Sequence, residues 1–203
     1  MPELPEVERA RRLAERCIVG RVITRVRCAR DPIVYEGVSA ATWRRRLTGR
    51  TVVAAHRRGK QLYLELDQRP WPLFHLGMTG SIRVPDADPL MLASSPRAGE
   101  PAVWPPRFTK IRLDLDDGGE FVMTNARRLG RLRLRHDPPS EPPLSRLGFD
   151  PLLDLPGPAS FSRLLRDRSA ILKSLLMDQS FAAGVGNWIA DEVLYQAKID
   201  PRR

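Results

Sequence analysis

Lys110-Ile111-Arg112-Leu113-Asp114-Leu115-Asp116-Asp117-Gly118-Gly119-Glu120-Phe121-Val122-Met123 decides how the front of the chain is read. Polar and apolar residues alternate from Lys110 to Leu115, the period of a strand with one buried face. Asp117-Gly118-Gly119 breaks the run, and Glu120-Phe121-Val122-Met123 starts another. Two such runs across a short Asp/Gly turn read as an antiparallel hairpin. The same signals spread outward. Arg131-Leu132-Arg133-Leu134-Arg135 alternates downstream. Upstream, Val22-Ile23-Thr24-Arg25-Val26 is β-branched, and Thr51–Ala55 and Gln61–Leu66 alternate. Leu73–Leu76 and Ser81–Val84 flank Gly77-Met78-Thr79-Gly80. Many short strands with turn punctuation predict a sandwich or a barrel.

Two helical regions enclose this β section. Leu4, Val7, Ala10, Leu13, Ala14, Cys17 and Ile18 recur at helical spacing, predicting a helix over 4–19 that Gly20 ends. Residues 85–107 are rich in Pro, Ala and Ser and read as a loop. Residues 137–160 are dense in Pro and read as an inter-domain linker. Beyond it the period becomes helical: Phe161–Leu165, then Ser169–Ser180, then Trp188–Ala197 after a break at Gly184-Val185-Gly186-Asn187. The division expected is 1–137, a linker 138–160, and 161–203. The last helix runs almost to Arg203, and a unit of about forty residues is small for independent stability. A further segment is therefore expected to belong after it.

The chain has 203 residues, 42% hydrophobic and 29% charged, which excludes a wholly disordered polypeptide. No apolar run reaches about 20 residues, so no membrane helix is expected. The N-terminus has no apolar signal segment, so the expected compartment is the cytoplasm (or the nucleus in a eukaryote). The net charge is +10, from 34 basic against 24 acidic residues, which favours a polyanionic partner, nucleic acid first. Only Lys60, Lys110, Lys173 and Lys198 are lysines; a bias from Lys to Arg explains that choice but not the excess over acids. Cys17 and Cys28 cannot form a disulfide framework or a four-ligand zinc site, and His56, His75 and His136 are scattered. No metal site is expected, and Cys17 is placed in the core.

Five short stretches carry possible chemistry. Removal of Met1 leaves Pro2 with a free secondary amine, and an α-amino group titrates near 7.7–8.0. Such an amine can attack an aldehyde-level carbon, with Glu3 and Glu6 beside it for proton transfer. Equally, Pro opens helices, and Glu in a first turn complements the dipole. Lys60 follows Arg57-Arg58-Gly59, as a reactive amine or a solvated strand end. Met78, between Gly77 and Gly80, is a projecting apolar wedge or a core filler. Asn125-Ala126-Arg127-Arg128-Leu129-Gly130 is a basic turn with an apolar residue in it, or a plain charged hairpin. Gly184-Val185-Gly186-Asn187 opens a helix where a phosphate could bind, or is a helix–helix turn.

In this order the motifs resemble the formamidopyrimidine-DNA glycosylase / endonuclease VIII family, over nearly all of the chain. Pro2-Glu3-Leu4-Pro5-Glu6-Val7-Glu8 is similar to the N-terminal signature of the formamidopyrimidine branch. Arg58-Gly59-Lys60, His75–Gly80, Arg127-Arg128-Leu129-Gly130 and Gly184–Glu192 match further motifs, the last resembling a helix–two-turn–helix module. The fold this implies is α+β and multidomain: a two-sheet antiparallel β-sandwich with an N-terminal helix, followed by that helical module.

The resemblance also implies roles. Pro2 attacks C1′ of a damaged nucleotide, Glu3 is general acid/base, Glu6 supports the geometry, and Lys60 contacts the lesion or its phosphate. His75 and Asn187 hold phosphates, Lys173 contacts DNA, and Met78, Arg127 and Leu129 fill the space of the extruded base. Excision of oxidised purines (8-oxoguanine, formamidopyrimidines) through a Schiff base, then β,δ-elimination, is the implied activity. The implied partner is double-stranded DNA, with the protein a monomer. The family usually has Phe at the place of Leu129 and Asp-Pro at the place of Asn125-Ala126. Most members continue into a finger carrying four zinc-binding Cys, whose ligands are absent here, so no cofactor is expected in this chain. The alternative is a truncated, non-catalytic binder of abasic or damaged DNA. An unrelated nucleic-acid binder is a third reading, which the Pro2-Glu3 pair speaks against.

Overall fold

The structure, a computed structural model, describes residues 2–85 and 103–202. Most of the expected loop 85–107 lies outside the described residues. Helix α1, Leu4–Cys17, buries Leu4, Val7, Ala10, Leu13 and Ala14 along one stripe, as a 3.6-residue period requires. It ends before residue 19. The Ile18 N–H returns to the Ala14 carbonyl, and Gly20, at φ +83°, turns the chain so that its N–H reaches the Val52 carbonyl. Cys17 is half-buried at the margin of the core rather than within it.

Eight strands follow: β1 Ile23–Cys28, β2 Val52–Arg58, β3 Gln61–Leu66, β4 Trp71–His75, β5 Ser81–Arg83, β6 Thr109–Leu115, β7 Glu120–Thr124 and β8 Arg131–Arg135. They form two four-stranded sheets, ordered β1-β6-β7-β5 and β2-β3-β4-β8, every pair antiparallel. The hairpin of β6 and β7 pairs Leu113 with Phe121 and Asp114 with Glu120. Ile111, Leu113, Phe121 and Met123 share one buried cluster with Leu62, Leu64, Phe74 and Leu132 of the other sheet and with the α1 stripe. The Phe74 and Phe121 rings meet edge-on at 5.9 Å across the layers. The architecture is therefore a sandwich and not a closed barrel.

Helix α2, Ala40–Leu47, is absent from the sequence reading. Ser39 caps it through the Thr42 N–H at 3.1 Å, and only Trp43 and Leu47 are buried. Two apolar residues one turn apart, separated by three arginines, give too faint a period to detect. The helical half holds α3 Pro158–Arg166, α4 Leu172–Met177 and α5 Asn187–Ala197. Helix α4 is much shorter than 169–180, because the Asp178 carboxylate accepts the Ser180 N–H and closes a turn there. A second core gathers Leu175, Leu176, Phe181, Ala182, Val185, Ala190 and Leu194. The Pro-dense stretch is anchored to the sandwich: Leu144 is buried with Tyr63 and Leu73, and α3 begins within the stretch at Pro158.

A buried ionic network joins the halves. The Arg57 guanidinium donates to both Asp150 oxygens at 2.5 and 3.3 Å and to Glu8 at 3.1 Å. Elsewhere Asp31 accepts from Arg128 and Lys110. Burial pushes the Glu8 carboxyl up, but bonds from Arg11, Arg12 and Arg57 outweigh it and hold it at about 2, against an ordinary 4.5. Asp31 is likewise pushed up by burial and brought down by Arg128 and Lys110, to about 2 from 3.8. Both carboxyls titrate lower folded than unfolded. Their stabilisation is complete above about pH 4.5 and drains away as the pH falls toward 2. Thermal melts from about pH 5 to about pH 2 are expected to show Tm dropping through that window, with a shallower drop in Glu8→Gln and Asp31→Asn.

Candidate functional site

The first residues of α1 meet the helical half at Gly184-Val185-Gly186. The Leu4 N–H donates to the Gly184 carbonyl at 3.2 Å. A Cβ on Gly184 would collide with the Leu4 side chain, and one on Gly186 with the Glu3 carboxylate. Glycine is required here by close approach. Glu3 is buried and accepts the N–H groups of Gly186, Trp188 and Ile189 at 3.1, 2.9 and 3.1 Å. These are amides at the start of α5, where unpaired donors and the helix dipole favour an anion. The Glu3 N–H in turn donates to Glu6 at 2.9 Å. Glu6 thus braces the turn that presents Pro2.

Pro2 lines a cleft of about 390 Å³ with Lys60, His75, Met78 and Leu129. Lys60 sits at the tight turn between β2 and β3. Gly59, at φ +54°, donates its N–H to Asp150 at 2.8 Å, and a Cβ on it would press within 3.1 Å of Ala183. Burial lowers the Lys60 pKa, against the nearby Glu3 charge, which raises it. His75 ends β4 and is brought down to about 4, first by burial and then by the charges of Arg133, Lys60 and Arg131. Its imidazole is neutral at pH 7. Met78 and Leu129 are 40% and 41% exposed, which decides against the core-filler reading of Met78. Arg127 is exposed on the same turn as Leu129.

The other candidates lie outside the cleft lining. Asn187 is exposed as the first residue of α5. Lys173 pairs with Asp191 at 2.6 Å, linking α4 to α5. The cleft also includes Gln61, Gly77, Leu147, Met177 and Gln179, which sequence reasoning did not single out as site residues. Gln179 braces the glycine turn by accepting the Gly184 N–H at 3.0 Å and donating to the Val185 carbonyl at 2.8 Å. Gln61 is buried, and its Oε1 has no hydrogen-bond partner. Its only sequence signal is its place beside Lys60. Among the described residues, no group of three or more His, Cys, Asp or Glu could hold a metal ion, and the half-buried Cys17 and Cys28 do not fit a zinc finger.

A sandwich whose first residues dock into a glycine turn opening a helix places the chain among proteins that join a β-sandwich to a helix–two-turn–helix module. The family profile of the formamidopyrimidine-DNA glycosylase N-terminal domain matches residues 1–132, and that of the formamidopyrimidine-DNA glycosylase H2TH domain matches residues 147–203. The chain belongs to the formamidopyrimidine-DNA glycosylase family. A protein of that name from Arabidopsis thaliana is 42% identical over 201 residues, covering 99% of this chain and 51% of the relative. One from Halorhodospira halophila is 38% identical over 208 residues, covering 100% and 70%. Among solved structures, the complex of Lactococcus lactis Fpg with DNA containing an abasic site superimposes with a TM-score of 0.79 at 28% identity, over 99% of this chain and 69% of that one. The chain thus spans about half the length of the plant relative. No described helix is long and apolar enough to cross a membrane.

Proposed function

We propose that the chain is a DNA glycosylase with abasic-site lyase activity, acting as a monomer on double-stranded DNA bearing oxidised purines. The observation that carries this reading is the single cleft shared by Pro2, Lys60 and His75, with Met78 and Leu129 projecting from its rim. In the proposed reaction Met1 is first removed. The Pro2 nitrogen attacks C1′, the bond from C1′ to the base breaks, and the base leaves with a proton. Opening of the sugar delivers a proton to its ring oxygen and leaves an iminium between Pro2 and C1′. Glu3 serves that proton transfer from its seat on α5. Loss of a C2′ proton then expels the 3′ phosphate. A second elimination expels the 5′ phosphate, and water releases the sugar remnant from Pro2.

The remaining residues hold the flipped nucleotide. Lys60 contacts the lesion or its phosphate. His75 donates to a phosphate from the end of β4, and Asn187 donates from the start of α5. Lys173 contacts the backbone once its link to Asp191 yields. Extrusion costs a few kcal/mol, and Met78, Arg127 and Leu129 offset it by filling the vacated stack. Leu129 is a smaller wedge than an aromatic and cannot stack. No cofactor is assigned.

Borohydride trapping tests the proposal. The untagged chain, with Met1 removal confirmed by mass, is mixed with duplexes carrying an abasic site or 8-oxoguanine. A covalent adduct on both supports glycosylase and lyase chemistry. An adduct on the abasic duplex alone removes the glycosylase half of the proposal. Tight binding with no adduct replaces it with the damage-binding alternative.

A further inference from the structure

We infer that Asn125 is a positioning residue that locks the two turns bearing Met78 and Leu129 into one unit, so that both side chains enter a duplex together. The inference rests on the wedge reading of those residues.

Asn125 follows β7 and is fully buried. Its Nδ2 donates to the Leu76 carbonyl at 2.7 Å, at the base of the Met78 turn. Its Oδ1 accepts the Gly130 N–H at 3.2 Å, at the end of the Leu129 turn. One side chain thus ties the root of one turn to the root of the other. The remaining contacts leave it no freedom. A Cβ on Gly80 or on Gly130 would come within 2.7 Å of the amide nitrogen. A Cβ on Gly77 would come within 2.5 Å of the Leu129 carbonyl carbon. The turns therefore pack backbone against backbone around the amide. At the outer edge Thr79 Oγ1 accepts the Arg127 N–H at 3.3 Å. Behind the Leu129 turn, Arg128 adopts φ +57° and is held by Asp31 through bonds of 3.0–3.1 Å.

To satisfy both partners a side chain must carry a donor for a carbonyl and an acceptor for an N–H, as this amide does. Leucine, of similar size, carries neither and leaves the Leu76 carbonyl and the Gly130 N–H without this partner. The functional consequence is preorganisation. Two independent turns would each lose conformational freedom on insertion, whereas a locked pair has lost it already. The lock therefore favours the state with a vacated stack over intact duplex.

The test is a double-mutant cycle on the full chain, with binding measured to a tetrahydrofuran-containing duplex and to the same duplex undamaged. Asn125→Leu is expected to weaken tetrahydrofuran binding about tenfold more than undamaged binding. In the Met78→Ala/Leu129→Ala background the same substitution is expected to change that selectivity by less than about twofold, since the unit it positions is gone. Thr79→Val changes only an exposed site and keeps the side-chain shape. It is expected to show the same pattern at smaller amplitude, even if Asn125→Leu folds poorly. Equal losses on both DNAs for both substitutions, or a full penalty in the double-alanine background, would overturn the inference. If Met78→Ala/Leu129→Ala keeps the selectivity of the unaltered chain, the wedge reading itself falls.

Discussion

Pro2→Gly is expected to lower borohydride trapping on abasic DNA by at least about a hundredfold while affinity for a tetrahydrofuran duplex stays within about twofold. The estimate comes from positioning: displacing a reacting atom by about 1 Å costs on the order of 10² in rate. Pro2 holds its nitrogen in a ring, one residue from a Glu3 carboxylate fixed by three backbone N–H groups. Glycine leaves a primary amine on a freely rotating residue. A chain whose Pro2 nitrogen remains acylated is expected to give no adduct, because an amide lone pair is delocalised into its carbonyl. Binding should survive in the glycine variant because the contacts docking α1 come from the Glu3 side chain and the Leu4 N–H, and Pro2 makes neither. Trapping of Pro2→Gly at the level of the unaltered chain would mean that the proline ring adds nothing to a free amine at that place, and trapping by the acylated chain would remove Pro2 as the nucleophile.

Glu3 does not offer an equally clean test. Glutamine at that place keeps one acceptor oxygen and turns an NH₂ group toward amides that also donate. Each buried donor left unpaired costs about 1–3 kcal/mol. Lost activity in Glu3→Gln would therefore mix chemistry with undocking of α5 from α1. The two are separated only by a melt alongside the assay.

The contrast shows what a sequence reveals of such a site. Periodicity delivered the β6–β7 hairpin and the α1 stripe, because each is a local pattern with one buried face. Motif resemblance delivered Pro2, Lys60, His75, Met78 and Leu129, which the fold brings to one cleft. It could not deliver the placement of Glu3, whose N–H donors lie 183 to 186 residues along the chain. Nor could it deliver Gln61 and Gln179, polar residues with no spacing signal. Helix α2 was hidden because Arg44, Arg45 and Arg46 fill the turn between its two buried residues. Asp150 was hidden in a Pro-dense stretch, its partner Arg57 lying 93 residues earlier.

That last pair carries the other large effect. Asp150→Ala is expected to destabilise the chain by about 3–5 kcal/mol, the cost of leaving a buried charge without its partner. For a chain of this size that is a fall in Tm of roughly 6–20 °C. The Arg57 and Asp150 side chains are 1% and 0% exposed, so water cannot replace the lost oxygens. Glu8, at 3.1 Å from the Arg57 Nε, compensates in part and sets the expectation toward the lower end. Replacing both partners, as Arg57→Met with Asp150→Leu, should recover part of the loss, because apolar packing does not carry the desolvation cost of a buried ion pair, while the Gly59 and Leu152 N–H groups that Asp150 accepts stay unpaired. Recovery of stability need not restore function. Asp150 also accepts the Gly59 N–H at 2.8 Å, and Gly59 precedes Lys60 in the tight turn on the cleft wall. The double variant is therefore expected to melt between Asp150→Ala and the unaltered chain while trapping abasic DNA more slowly. If Asp150→Ala melts within about 2 °C of the unaltered chain, the network does not hold the two halves together. If the double variant traps at full rate, the turn keeps its place without Asp150.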